Sequence, residues 1–173
     1  PPKSSSLSVS FDYRLQSPAP SSRDANVWMA GEGGRIEVGY FAKQDTLFTA
    51  YFEALKHFPA LDFSYDSLAV YELGVTWRPH YHLGRLRLHW GVGIGASMQN
   101  LDVKTVYEPL LDTSTVRMGA TISLMSGLCL RTIAQIFTCL SVDPKVLVRA
   151  ENGQPQTSYL FPLGIGLRYE YRL

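Results

Sequence analysis

Large apolar side chains recur at every second residue along much of this chain of 173 residues. The longest run lies between Tyr159 and Leu173, where alternate residues are all apolar or aromatic and the residues between them are mostly small or charged. A β-strand places alternate side chains on opposite faces, whereas a helix would mix the two sets. The pattern therefore predicts a strand with one apolar and one polar face.

The same alternation recurs in seven other segments. These segments are residues 6–16, 35–40, 46–58, 71–78, 85–98, 116–125 and 135–142. In the segment 46–58 the assignment of faces is ambiguous, and we place Phe48 and Phe52 on the apolar face, opposite Tyr51. The chain is therefore predicted to be all-β, with eight antiparallel strands.

The predicted connections between these strands alternate in length. Long connections are predicted at 16–34, 100–113 and 143–157, an intermediate one at 57–66, and short ones at 42–45, 79–84 and 131–134. Transmembrane barrels show this alternation because short turns lie on the periplasmic side and long loops lie outside. The sequence therefore predicts one domain over residues 1–173, an eight-stranded up-and-down transmembrane β-barrel.

Alternation alone leaves open which face points inward. A soluble lipocalin-like barrel would enclose the apolar face around a ligand, whereas a membrane barrel would turn it toward lipid. Glycines such as Gly93 and Gly164 lie on the polar face, where a narrow lumen needs small residues beside long ones. Aromatic residues such as Trp77 and Tyr171 lie near strand ends, as in the girdles of membrane barrels. Both features favour the membrane barrel, although the mean hydropathy is only −0.03.

The final segment, Gly166–Leu173, resembles the C-terminal strand by which bacterial outer-membrane proteins are recognised for assembly. It departs from that pattern at Leu173, where phenylalanine is more usual. The whole layout is similar to the small OmpA/OmpX-type barrels. This resemblance implies a bacterial outer-membrane location, with outer-membrane lipid and lipopolysaccharide as surroundings. The chain opens on Pro1 without an apolar leader, which we interpret as a processed form.

The polar face supplies the largest group of candidate functional residues. We predict a polar network in the lumen that is formed by Arg14, Arg35, Glu37, Glu72, Arg87, His89, Arg117, Arg168 and Glu170. Buried charges must pair or form hydrogen bonds, because desolvation is costly. Such a network either plugs the barrel or lines a narrow channel, and we favour the plug.

Two further pairs are candidates for specific chemistry. Cys129 and Cys139 flank a predicted turn symmetrically and point toward the lumen, so they either form a cross-strand disulfide or pack as reduced residues. His80 and His82 have the spacing of two metal ligands on a strand, but we interpret them as polar residues of a short turn. We predict no metal site and no cofactor.

The functional classes are narrowed mainly by what is missing from the sequence. A net charge of +1 gives no case for nucleic acid, and no catalytic motif such as Gly-x-Ser-x-Gly is present.

Exposed apolar loop residues suggest a binding surface. These candidates are Trp28, Met29, Tyr107, Leu110 and Val146. We therefore expect a structural or interaction protein that binds an envelope protein partner through its loops or periplasmic rim. The alternatives are a small channel, a lipid A-modifying enzyme and a soluble binder.

Overall fold

The structure is a computed structural model that describes residues 5–18, 29–42, 45–59, 65–103, 116–151 and 154–172. They form nine strands in one sheet. The strands are β1 (Ser6–Pro18), β2 (Gly31–Ala42), β3 (Thr46–His57), β4 (Tyr65–Leu83), β5 (Leu86–Val103), β6 (Val116–Ile133), β7 (Ile136–Val142), β8 (Lys145–Glu151) and β9 (Gln154–Arg172).

The sheet closes into a ring of eight strand positions. Every pairing is antiparallel, strands β1 to β7 pair in sequence order, and β1 closes the ring against β9, with Val9 opposite Tyr169. Strands β7 and β8 share one position, because both lie between β6 and β9. The break between them falls at Asp143 and Pro144, where proline has no N–H to donate to the ladder. The predicted eight-stranded antiparallel barrel is confirmed.

Three predicted connections are wrong in their extent, and one of them is 131–134, where β6 continues to Ile133. The segment 143–157 is mostly strand, because β8 and β9 form a hairpin, and Val146 therefore lies opposite Tyr159 within the barrel wall and not in a loop. The segment 79–84 is also mostly strand, because β4 continues to Leu83. In the latter two segments the strands extend beyond their predicted ends, because the alternation of side chains continues through residue types that are common in turns.

The apolar face points outward and the polar face points inward. Ile165, Val92 and Ile122 are 52%, 43% and 62% exposed, although each lies in the middle of a long strand. None of the described residues forms a helix long and apolar enough to cross a membrane. A continuous outer wall of large apolar side chains is unfavourable in water and favourable in lipid. The assignment of Phe48 and Phe52 to the outer wall is confirmed, as both are about half exposed.

The two ends of the barrel differ in their connections. At one end, β4 and β5 are joined by a two-residue turn that contains Gly84, whose φ of 63° suits glycine. This end also holds the start of β1 at Ser6 and the end of β9 at Arg172, and we call it the periplasmic end. We call the opposite end, which includes Gly31 and His57, the outer end.

Candidate functional site

Charged side chains fill the middle of the barrel. Among the described residues, five cations and five anions are buried at this level of the barrel. We call this group the lumen network, and its members are Asp12, Arg14, Arg35, Glu37, Glu53, Glu72, Arg78, Asp143, Lys145 and Arg168. Equal numbers of opposite charges make the group neutral overall. This balance matters because an uncompensated charge would be expensive to keep in a space of this size.

Asp143 joins the two arginines nearest to β1 and β2. Its Oδ2 atom accepts from Nη1 of Arg14 at 2.5 Å and from Nη1 of Arg35 at 3.0 Å. Arg35 also lies over the ring of Tyr51, with the guanidinium carbon 3.7 Å from the ring centre. The strand break at Pro144 therefore places a carboxylate where two guanidinium groups converge.

Lys145 joins two glutamates on β3 and β4. Its Nζ donates to Glu53 and, at 2.8 Å, to Oε2 of Glu72. The other oxygen of Glu72 accepts from the hydroxyls of Tyr51 and, at 2.9 Å, of Thr121. The ammonium group and the two carboxylates thus cross the lumen from β8 to β3 and β4.

Arg78 and Arg168 continue the network toward the periplasmic end. Nη2 of Arg78 donates to Oε1 of Glu37 at 2.5 Å, and Nε of Arg35 lies 2.9 Å from the same oxygen. Nη1 of Arg168 donates to Nε2 of His80 at 3.2 Å, so the other ring nitrogen of His80 donates to the carbonyl of Arg78 at 3.0 Å. Both ring nitrogens of His80 are therefore engaged, which argues against the His80–His82 metal pair.

Glycine in the inner wall provides the room for these long side chains. A Cβ atom on Gly164 would lie 2.9 Å from Nη1 of Arg14, and one on Gly74 would lie 2.5 Å from the hydroxyl of Tyr51. Both contacts are too short for carbon. The inward glycines therefore belong to the packing of the network.

The remaining residues of the predicted network lie at different levels of the lumen. His89 is buried and stacks on His80 at 5.2 Å between ring centres, and neither of its ring nitrogens has a hydrogen-bond partner among the described residues. Arg87 pairs with Glu170 near the periplasmic end. Arg117 lies near the outer end of β6 and is half-buried.

Two central members, Asp143 and Lys145, were missed because they fell in a predicted loop. The alternation of inward residues in fact continues in phase from Phe137 through Asp143 and Lys145 to Arg149. That signal was present in the sequence. It was hidden by two pairs of residues that are typical of turns, Asp-Pro at 143–144 and Asn-Gly at 152–153. Only the second pair lies between two strands, β8 and β9, that pair with each other.

A cleft opens at the periplasmic end of the lumen. It has a volume of about 130 Å³ and is lined by Ser6, Phe41, His82, Arg87, Arg131, Ala134, Gln135, Phe137, Glu170 and Arg172. Phe137 forms part of its inner surface, with the guanidinium carbons of Arg87 and Arg131 at 4.1 Å and 5.4 Å from the ring centre. The cleft therefore combines an aromatic floor with several cationic groups.

Cys129 and Cys139 are directly opposite one another on β6 and β7 and are joined by a disulfide. Both are buried beside Phe137. The bond ties the short β7 strand to β6 directly behind the floor of the cleft.

The predicted loop surface is only partly within the described residues. Trp28, Tyr107 and Leu110 lie outside them. Met29 is 52% exposed at the outer end, where its N–H donates to the carbonyl of Phe58 at 2.9 Å. Val146 belongs to the membrane-facing wall, as described above.

Comparisons with known proteins identify the architecture. No family model and no curated protein matches the chain. Several solved structures align over nearly the whole chain, including the following three. Neisserial surface protein A matches at 14% identity and a TM-score of 0.69, covering 95% of this chain and 97% of that one. OprG of Pseudomonas aeruginosa matches at 10% identity and a TM-score of 0.70, covering 99% and 98%.

The third is Ail of Yersinia pestis, in a complex with the heparin analogue sucrose octasulfate. It matches at 13% identity and a TM-score of 0.53, covering 96% of this chain and 97% of that one. Identities this low identify the fold and not the role. The predicted resemblance and the predicted outer-membrane location agree with these neighbours, and the fold of this chain is that of the small outer-membrane β-barrels.

Proposed function

We propose that this protein is an outer-membrane barrel with a closed lumen, which acts through its two ends as a structural or interaction protein. The observation that carries this proposal is the lumen network. Its side chains pair across the barrel from several strands, so a solute would have to separate buried ion pairs in order to pass. Separating a buried pair costs several kcal/mol.

The contacts of Lys145 support closure most directly. Its ammonium group is held by Glu53 and Glu72, which come from β3 and β4 on the far side of the lumen from β8. Tyr51 occupies the adjacent space, where it stacks on Arg35 and donates to Glu72. A channel function would require this cluster to move apart as a unit.

Conductance in a planar bilayer tests the closed lumen. The parent protein is expected to give no steady ion current after insertion. Lys145→Ser should give measurable openings, because it removes the group that joins the two glutamates. Lys56→Ser, on the exposed face of β3, is the matched control and should remain silent. Steady conductance of the parent protein would overturn the proposal in favour of the channel.

In-cell photo-cross-linking tests the interaction role. A cross-linking residue at Gln135, which is exposed at the periplasmic end, should give discrete protein adducts. The same residue at Leu124, on the lipid-facing wall, should not. A cross-linking residue at Met29 tests in the same way for protein adducts at the outer end. Absence of adducts at both ends would contradict an interaction role.

A further inference from the structure

The periplasmic cleft carries more positive charge than its own carboxylates neutralise. Arg87, Arg131 and Arg172 line it together with a single carboxylate, that of Glu170. Glu170 is already paired with Arg87. Within the described residues, neither Arg131 nor Arg172 has a carboxylate partner. The described residues that line the cleft therefore carry an excess of two positive charges.

Phe137 orients these arginines. The guanidinium groups of Arg87 and Arg131 lie against its ring, and Arg87 also approaches the ring of Phe41 at 5.6 Å. A guanidinium that stacks on an aromatic ring is held by its face, so the N–H groups in its plane stay free to donate. The Cys129–Cys139 disulfide lies behind Phe137 and fixes the strand that carries it.

We propose that this cleft binds a phosphate monoester in its dianionic form. Paired guanidinium groups match the oxygens of phosphate in bidentate geometry, and the two uncompensated charges match a dianion. A phosphodiester, such as a phospholipid headgroup, carries only one negative charge and is a poorer match. The volume of about 130 Å³ admits a small anion and excludes a bulky ligand from the floor. The inference deepens the proposed function by naming a ligand class for the periplasmic end, and it rests on that function.

Nuclear magnetic resonance titration of the whole protein tests the site. The protein is held in maltoside micelles, since these carry no phosphate, and is titrated at pH 8 with methyl phosphate and, separately, with dimethyl phosphate. Methyl phosphate should give saturable shifts confined to the periplasmic end. Dimethyl phosphate should bind at least about tenfold more weakly than methyl phosphate, in line with the loss of one charged contact.

Variants separate a specific cleft from general positive charge. Arg131→Gln and Arg172→Gln should each weaken methyl phosphate binding about tenfold, because each removes one charged donor. Arg85→Gln is the matched control, since Arg85 is exposed in the turn at the same end and does not line the cleft. It should leave the affinity unchanged within about twofold. Heat-dependent gel mobility checks that every variant is folded.

Three outcomes would overturn the inference. These are no saturable binding, equal binding of the mono- and diester, and an equal loss in Arg85→Gln. Each can occur while the bilayer remains electrically silent, and the proposed closed barrel then stands without this site. Conductance by the parent protein would instead refute the closed barrel, whatever the titration shows.

Discussion

Arg14 and Asp143 are joined inside the lumen at 2.5 Å, although they lie 129 positions apart in sequence. Arg14 lies on the first strand and Asp143 lies at the break between β7 and β8. The contact exists only because the barrel closes. It is also shared, since Arg35 binds the same carboxylate oxygen at 3.0 Å.

Asp143→Ala should destabilise the barrel strongly. It leaves two buried guanidinium groups without their common carboxylate, and breaking a buried pair costs about 3–5 kcal/mol. Urea unfolding in lipid vesicles, followed by heat-dependent gel mobility, measures the loss. Asp45→Ala is the control, because the Asp45 side chain is 49% exposed and should cost less than about 1 kcal/mol. Equal losses in the two variants would show that Asp143 does not hold the network.

Ile165→Arg should also destabilise the membrane-inserted barrel, by about 2–4 kcal/mol, because it places a charge near the bilayer midplane. Ile165 is 52% exposed on the outer wall of β9. Thr157→Arg on the same face of β9, close to the outer end, is the control and should cost about 0–1 kcal/mol. The same unfolding experiment compares them. If both variants insert and unfold like the parent protein, the outer wall does not face lipid.

Gly93→Leu should overfill the lumen and cost about 1–3 kcal/mol. A Cβ atom on Gly93 would already lie 2.5 Å from Oγ of Ser123 and 3.1 Å from Cε of Met125. Ala96→Leu on the same strand faces outward and should be tolerated, because the added atoms enter lipid. Unfolding midpoints of the two variants provide the measurement. A neutral Gly93→Leu would mean that the lumen has more free volume than this packing allows.

The Cys129–Cys139 bond predicts a specific labelling pattern. In denaturant without reductant, neither thiol should react with an alkylating reagent, whereas both should react after reduction. Replacement of both cysteines by serine should cost about 2 kcal/mol in free energy of unfolding, since the unfolded chain loses a closed loop. The reduced parent protein is the control for the substitutions. Labelling of either thiol in denaturant before reduction would refute the disulfide.

The eight strand positions and the two faces of each strand were predictable from the sequence because side-chain alternation is a local property. Tyr159 to Leu173 alternates so regularly that only a strand fits it, and even in the ambiguous segment 46–58 the assignment of Tyr51 to the inner wall is confirmed. The extent of β8 was also encoded, by alternation that continues through Asp143 and Lys145. It was misread because Asp-Pro resembles a turn.

The lumen pairing was not predictable in the same way. A period of two shows that Lys145 points inward, but it does not show which carboxylate it meets. Glu53 and Glu72 become its partners because closure sets the register and brings β3 and β4 opposite β8. Likewise, Arg87, Arg131 and Arg172 come from β5, β6 and β9 and share one cleft only in the closed ring.

The sequence by itself determined eight strand segments, each with one apolar and one polar face, because side-chain alternation depends only on neighbouring residues. The glycines of the polar face and the aromatic residues near strand ends then indicated that the apolar face points toward lipid. The tertiary structure alone decided that the polar wall forms a neutral network of ion pairs and that arginines from three strands gather at the periplasmic end. Those properties depend on distances between residues far apart in sequence, and only the closure of the barrel sets these distances.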